Sequence, residues 1–153
     1  MKRIVIAVCR SQERGKPKVD VRSGFFERGL GLMGDAHSGT AKEVSILLKE
    51  HVDHFSKKTG LIFLPGAFAE NLLIEGGDQA QMIPGRFLKV GDALLEIRQI
   101  GKEPGEKHSY HFKGHSFLPR FGIFGQVIES GIIKRGNEVD FIDYIPGSKK
   151  ESD

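Results

Sequence analysis

The sequence predicts a mainly β fold, and three observations lead to this prediction. The chain has 153 residues, the length of one domain with a core of its own. It contains 20 glycines, about twice the average share, and glycine favours turns over long helices. Four Pro-Gly pairs mark turns, and short apolar runs lie between them. Short strands joined by frequent turns are typical of a barrel or a sandwich.

The individual strands follow from these short apolar runs. Residues 4–8 predict a buried first strand, and residues 19–25 predict a second, irregular one. Further strands are predicted for residues 72–74, 87–90, 93–100, 122–128 and 139–142. Residues 29–39 contain four glycines and show neither a helical nor a strand period, so we expect a shaped loop there.

The one helical segment leaves two interpretations open. In the first, Thr40 and Glu43 form a capping box, and apolar residues recur at helical spacing up to Gly60. In the second, residues 44–48 form a short strand and the helix begins near Lys49. The sequence is compatible with both.

Length and composition predict the domain organisation and the cellular compartment of the protein. Residues 1–147 are predicted as a single domain and residues 148–153 as a flexible C-terminal tail. Apolar residues make up 39% and charged residues 28%, which excludes a disordered chain. The single cysteine, Cys9, cannot form an internal disulfide, so we expect a cytoplasmic protein.

Charge and hydropathy exclude two classes of partner. The formal net charge is +3, but basic residues are interspersed with acidic ones, so we expect no nucleic-acid partner. No apolar run approaches the ~18 residues of a membrane span, so we expect no membrane partner. A small anionic ligand is compatible with this mild positive charge.

The glycine-rich loop carries candidate ligand groups. Gly29, Gly31 and Gly34 match the dinucleotide-binding fingerprint as a string, but no helical pattern starts at the last glycine and no βαβ unit surrounds it. Asp35 and His37 lie on glycine hinges, which let side chains and backbone N–H groups converge on a phosphate, a carbonyl or a metal. The alternative is that Asp35 only caps its own loop.

Glu70 and Asn71 form an adjacent acid–amide pair in front of an apolar strand. A carboxylate accepts hydrogen bonds and an amide both donates and accepts, so the pair can recognise a heterocyclic ring. The alternative is that Glu70 pairs with a nearby lysine or arginine.

Three histidines, His108, His111 and His115, are spaced so that they can present imidazoles to one metal ion. Flanking lysines add positive charge, which disfavours a cation. We retain His108 as the candidate metal ligand, with exposed loop histidines as the alternative.

Several motifs in register resemble the MOSC domain, the family named after the C-terminal part of molybdenum cofactor sulfurase. They lie, in chain order, at residues 29–39, 44–48, 65–72, 91–97, 99–102 and 122–124. The likeness extends over residues 4–142 and is to the small stand-alone bacterial members. It implies a MOSC-type β-barrel with a few peripheral helices.

The resemblance also implies a ligand and a set of site residues. The implied cofactor is of the molybdopterin type, and the associated functions are the binding of molybdenum ions or pyridoxal phosphate and sulfur carriage. The implied partners are a small anionic heterocyclic ligand and a molybdoenzyme or a cofactor-biosynthesis protein. Carried over onto this sequence, the family's motifs assign ligand binding to Gly34, Asp35, His37, Gly39, Glu70, Asn71 and Lys102.

One position departs from the family pattern. The cysteine expected two residues after Lys102 is Pro104, and proline has no thiol for persulfide transfer or thiolate ligation. We therefore expect a carrier or accessory role in molybdenum or tungsten cofactor or sulfur metabolism. The alternative is an enzyme for sulfur transfer or reduction of N-hydroxylated compounds, in which His37, His108 or a partner's thiol replaces the cysteine.

Overall fold

Strands dominate the computed structural model, which describes residues 2–13, 16–36, 38–40, 43–77, 79–101 and 121–143. The strands are β1 (Ile4–Arg10), β2 (Val19–Asp20), β3 (Ser23–Glu27), β4 (Gly31–Leu32), β5 (Val44–Leu48), β6 (Leu72–Glu75), β7 (Phe87–Val90), β8 (Ala93–Ile100), β9 (Ile123–Glu129), β10 (Gly131–Lys134) and β11 (Val139–Ile142). One helix, α1 (Lys49–Thr59), and one 3-10 turn, Gln79–Gln81, complete these segments. The mainly β prediction is confirmed, with one α-helix in the described part where a few were expected. The predicted tail, residues 148–153, lies outside the described residues.

Eight strands form one curved sheet in the order β11-β7-β8-β9-β5-β6-β1-β2, and three form a small sheet in the order β10-β3-β4. Among the described strands, every pair is antiparallel except β5 and β6, which run parallel. A parallel pair needs a crossover connection. Helix α1 lies in that connection and covers the outer face of the sheet.

The predicted barrel needs one correction, because the described strands do not close into a continuous ladder. In the described residues, the two ends of the large sheet meet at one isolated bridge, between Ile4 and Glu138, and at a few backbone hydrogen bonds around it. Beside it, the Val5 N–H donates to the Asn137 carbonyl over 2.9 Å, and the Gly136 N–H donates to the Val5 carbonyl over 2.7 Å. Gly136, whose φ is 93°, lies in the turn between β10 and β11.

The segment after Glu43 follows the second interpretation, with a strand first and a helix from Lys49. The reason is burial on both faces: Ile46 belongs to the core inside the curved sheet, and Leu47 packs under α1. Glu43 does not cap a helix. Its carboxylate accepts a hydrogen bond from the Val127 N–H over 3.3 Å.

Two apolar clusters stabilise this arrangement. The larger one fills the inside of the curved sheet, and the smaller one, which contains Ala67 and Phe68, lies between the sheet and α1. No helix in the described segments is long and apolar enough to cross a membrane.

Candidate functional site

The structure places four of the predicted site residues around the C-terminal end of β1. These residues are Gly34, Asp35, Glu70 and Asn71, and they contact the segments that contain Cys9, Arg10, Ser11 and Lys18. Gly39 lies on the same loop as Asp35, and its N–H donates to the Leu30 carbonyl. His37, Lys102, Pro104 and His108 lie outside the described residues.

Asp35 forms a buried ion pair with Lys18. Its Oδ1 accepts from the Lys18 Nζ over 2.7 Å and from the Ser11 N–H over 3.1 Å. The two charged side chains are 1% and 0% exposed. These bonds run to other segments of the chain, so Asp35 ties the glycine-rich loop to the end of β1 and to the start of β2.

Glu70 holds its own loop in place. Its Oε2 accepts from the Gly66 N–H over 2.7 Å, and its Oε1 accepts from the Phe68 N–H over 3.1 Å. Burial raises the pKa of Glu70 to about 7, although the backbone N–H bonds and the charge of Lys18 partly oppose the shift. The Gly66 carbonyl in turn accepts from the Lys18 N–H over 2.9 Å, which joins this loop to the ion pair.

Asn71 connects two strands that flank the start of β6. Its Oδ1 accepts from the Ser45 N–H and hydroxyl at 3.0 and 3.2 Å, and its Nδ2 donates to the Cys9 carbonyl over 3.1 Å. Asn71 is completely buried. Its amide therefore fixes the spacing between β5 and β1 beneath the loops.

Cys9 lies beside this polar cluster and is also completely buried. Burial raises the pKa of its thiol, and the carboxylates of Glu70 and Asp20 raise it further. Since the thiolate is the nucleophile and the metal ligand, this environment makes Cys9 an unreactive thiol.

The backbone of the glycine-rich loop is largely occupied by internal bonds. Six N–H groups in it donate to carbonyls of the chain, those of Leu30, Met33, Asp35, Ala36, Ser38 and Gly39. Gly34 is exposed with a φ of 84°, and a Cβ there would lie 3.2 Å from the Arg10 Nη1. The absence of a side chain at Gly34 thus leaves room for the Arg10 guanidinium, whose Nη1 also lies 3.4 Å from the Met33 carbonyl.

Sequence reasoning missed two residues of this site, Arg10 and Lys18. Arg10 ends an apolar run, and Lys18 lies in a polar stretch that contains Pro17, so each resembles an ordinary surface residue. A buried lysine has no local sequence signature, because its burial depends on the distant carboxylate of Asp35.

No group of three or more histidine, cysteine, aspartate or glutamate side chains in the described ranges is arranged to hold a metal ion. The metal prediction was made for His108, outside those ranges, and it stays a prediction.

Known proteins resemble this chain in sequence and in fold. Protein YiiM of Escherichia coli strain K12 is 28% identical over 111 residues, which are 64% of this chain and 49% of YiiM. The chain therefore spans about half the length of this curated relative. The crystal structure of E. coli YiiM superposes with a TM-score of 0.66 at 23% identity, over 95% of this chain and 71% of that one. The YUAD protein of Bacillus subtilis superposes with a TM-score of 0.72 at 16% identity, over 91% of this chain and 94% of that one.

A match to a protein-family model shows which family the chain belongs to, whereas the structural similarities show its fold. The structures are less than 25% identical to this chain and establish the fold alone. The model of the MOSC domain matches residues 33–140, well over half of the chain, including the loops around Asp35 and Glu70. The resemblance found in the sequence motifs is confirmed, and the chain belongs to the MOSC domain family.

Proposed function

We propose that this chain binds a molybdopterin-type or other phosphate-bearing heterocyclic ligand. Its role is that of a carrier or accessory protein in molybdenum or tungsten cofactor or sulfur metabolism. The observation that supports this most directly is the buried ion pair between Lys18 and Asp35 beneath the glycine-rich loop. Burying two charges costs solvation energy that apolar side chains would not cost, and such groups concentrate at functional sites.

The described residues of the candidate site have two roles: some hold the loops in place, and Arg10 is available to contact the ligand. Asp35, Glu70 and Asn71 hold the loops through bonds to the chain itself. Since six N–H groups of the glycine-rich loop already donate to the chain, we assign the ligand's phosphate to cationic side chains rather than to the backbone. Arg10, next to the exposed Gly34, is the described cation that fits this role.

Two further contacts come from the sequence motifs. Lys102 supplies a second cation for the phosphate, and His37 lies one residue beyond the described Ala36 in the same loop. We place the imidazole of His37 toward the ligand. The proposed partner is a molybdoenzyme or a cofactor-biosynthesis protein, and the proposed location is the cytoplasm.

The state of the thiol favours a carrier over an enzyme of sulfur transfer. Cys9 is buried, and the environment opposes formation of its thiolate. The enzymatic alternative depends on His37, His108 or a partner's thiol, and nothing in the described ranges favours it.

Calorimetric titration with the cofactor and with its metal-free pterin tests the proposal. We expect micromolar binding by the unaltered protein. Arg10→Gln should weaken it at least tenfold, since a hydrogen bond to a charged group contributes about 1.5–3 kcal/mol. Arg22→Gln is the matched control, because Arg22 is exposed and lies outside the site. Absence of micromolar binding by the unaltered protein contradicts the proposal.

A further inference from the structure

A second cationic feature lies at the other end of β1. The ring of Phe141 on β11 has two guanidinium groups over it: the Arg3 Cζ is 4.4 Å from the ring centroid, and the Arg86 Cζ is 4.1 Å from it. Arg3 directly precedes β1 and Arg86 directly precedes β7, the two strands next to β11. We call these three residues the arginine clamp.

The sheet register explains why the three side chains converge. Phe141 pairs with Leu88, so Arg86, two residues before Leu88, projects from the same face one diagonal step away. Val139 pairs with Arg3 through its N–H, and it lies two residues before Phe141 on that face. This face is the inside of the curved sheet, since Phe141 packs against the larger core cluster.

Hydrogen bonds hold the backbone of both arginines and the side chain of Arg3, and both guanidinium groups contact the Phe141 ring. The Val139 N–H donates to the Arg3 carbonyl over 2.9 Å, and the Arg3 Nε donates back to the Val139 carbonyl over 3.1 Å. The Arg86 N–H donates to the Ile83 carbonyl over 3.1 Å, and the Arg86 carbonyl accepts from the Ile97 N–H over 2.9 Å. A clamp ordered in advance loses little conformational entropy when a ligand binds.

The positive charge of the clamp is not neutralised within the described part of the chain. Its two half-buried guanidinium groups form no ion pair there. Two carboxylates on the adjoining segments of chain have other partners. Glu138 pairs with Lys2 at 3.6 Å, and Glu96 pairs with Arg98 at 3.1 Å. The N–H donors of the Arg86 guanidinium accordingly remain available for a ligand.

We propose that the arginine clamp binds the phosphate group of a small soluble phosphate ester or of inorganic phosphate. Guanidinium groups present forked N–H donors that match phosphate oxygens. The two arginines that contact the Phe141 ring together carry two positive charges. A phosphate with nearly two negative charges balances them, whereas one carboxylate balances only half.

This site is separate from the pocket near Asp35. Arg3 and Arg10 flank opposite ends of β1, about 20 Å apart, because a strand rises about 3.3 Å per residue. One small ligand therefore cannot contact both. The proposal for the arginine clamp therefore does not depend on the function proposed above, and each can be tested without the other.

The test is a titration with inorganic phosphate, followed by NMR of the arginine side-chain Nε–Hε groups. The ionic strength is held constant with chloride. We expect saturable shifts at Arg3 and Arg86 and none at Arg98. Arg86→Gln should weaken phosphate binding at least tenfold, while Arg98→Gln, a matched loss of one exposed charge, should leave it unchanged.

Further measurements separate a binding role from a structural one. Arg86→Lys keeps the charge but removes the forked donors, so it should weaken binding without a large change in melting temperature. If Arg86→Gln does not fold, phosphate binding by Arg86→Lys and the NMR shifts in the unaltered protein test the proposal instead.

The source of the phosphate is tested with glycerol phosphate and with vesicles that contain phosphatidic acid. Saturable binding of glycerol phosphate supports the proposal. Binding to the vesicles without any response to soluble phosphates overturns it, and so does an absence of saturable shifts or an equal effect of Arg86→Gln and Arg98→Gln.

Discussion

The polar residues of the candidate site are shielded from water, so each must find its partners within the protein. Counted as whole residues, backbone included, Lys18 is 3% exposed, Asp35 6%, Glu70 1% and Asn71 0%. Asp35 bonds to Lys18 and Ser11, which lie far from it in the chain, whereas Glu70 bonds to N–H groups of its own loop. The stability of the site therefore depends on pairs of residues rather than on single ones.

The ion pair between Lys18 and Asp35 provides a direct test of this coupling. Asp35→Asn should lower the free energy of unfolding by about 3–5 kcal/mol, because the charge of Lys18 then remains buried without its counter-charge. The double variant Lys18→Met with Asp35→Asn should recover a large part of this loss. Urea unfolding of the unaltered protein, Asp35→Asn, Lys18→Met and the double variant measures the coupling energy. If the cost of the double variant equals the sum of the two single costs, the coupling is contradicted.

Glu70 should make the stability depend on pH. Its pKa is about 7 in the folded protein and near 4.5 in the unfolded chain, so the folded state holds the proton more tightly. The stabilisation by Glu70 is complete below about pH 4.5 and is lost as the pH rises through about 7. Over that range the free energy of unfolding should fall by about 3 kcal/mol relative to the Glu70→Gln variant, whose side chain does not titrate. Denaturant unfolding across this range measures both proteins, and parallel curves would be inconsistent with the raised pKa.

Two Pro-Gly turns show how an element depends on its surroundings. Gly66 and Gly85 have nearly the same φ, 89° and 90°. A Cβ at Gly66 would lie 2.0 Å from the Lys18 carbonyl, whereas nothing lies within 4 Å of a Cβ at Gly85. The same local signal thus marks a close approach between segments in one case and an open turn in the other.

Alanine substitution distinguishes these two turns. Both Gly66→Ala and Gly85→Ala should cost about 1–2 kcal/mol of backbone strain. Gly66→Ala should cost at least about 2 kcal/mol more, because the loop must move away from Lys18 and lose bonds between buried groups. Thermal unfolding of the two variants gives the comparison, and equal melting temperatures would show that the close contact does not matter.

At the scale of the whole molecule, the described strands form a small sheet and a large curved sheet, and the two ends of the large sheet touch without forming a ladder. Its centre contains β8, β9 and β5, and its ends are joined by a few backbone bonds around the Ile4–Glu138 bridge. The inside is filled by one apolar cluster, so the closure also shields that core from water.

Amide hydrogen exchange measures this closure. The N–H groups of Val5, Gly136 and Val139 donate across the junction, and we expect them to exchange at least about a hundredfold more slowly than exposed amides. The amide of Lys16, which lies in an exposed part of the chain, is the reference. Exchange of the three junction amides at the rate of Lys16 would mean that the ends of the sheet separate in solution.

The sequence by itself determined the β class, most of the strands and the family. Apolar runs, Pro-Gly turns and motifs are local patterns, and each is complete within a short stretch of chain. It also located the loops around Asp35 and Glu70, because glycine and proline record backbone conformation directly.

Only the tertiary structure decided the remaining features. β10 was not predicted, since it is a short segment that pairs with the distant β3. The choice of a strand for residues 44–48 depended on burial under α1 on one face and against the core on the other. The partner of Asp35 was decided in the same way, because Lys18 becomes buried only when two separate loops pack together. Each of these outcomes depends on contacts between residues far apart in the chain, and local sequence patterns do not record such contacts.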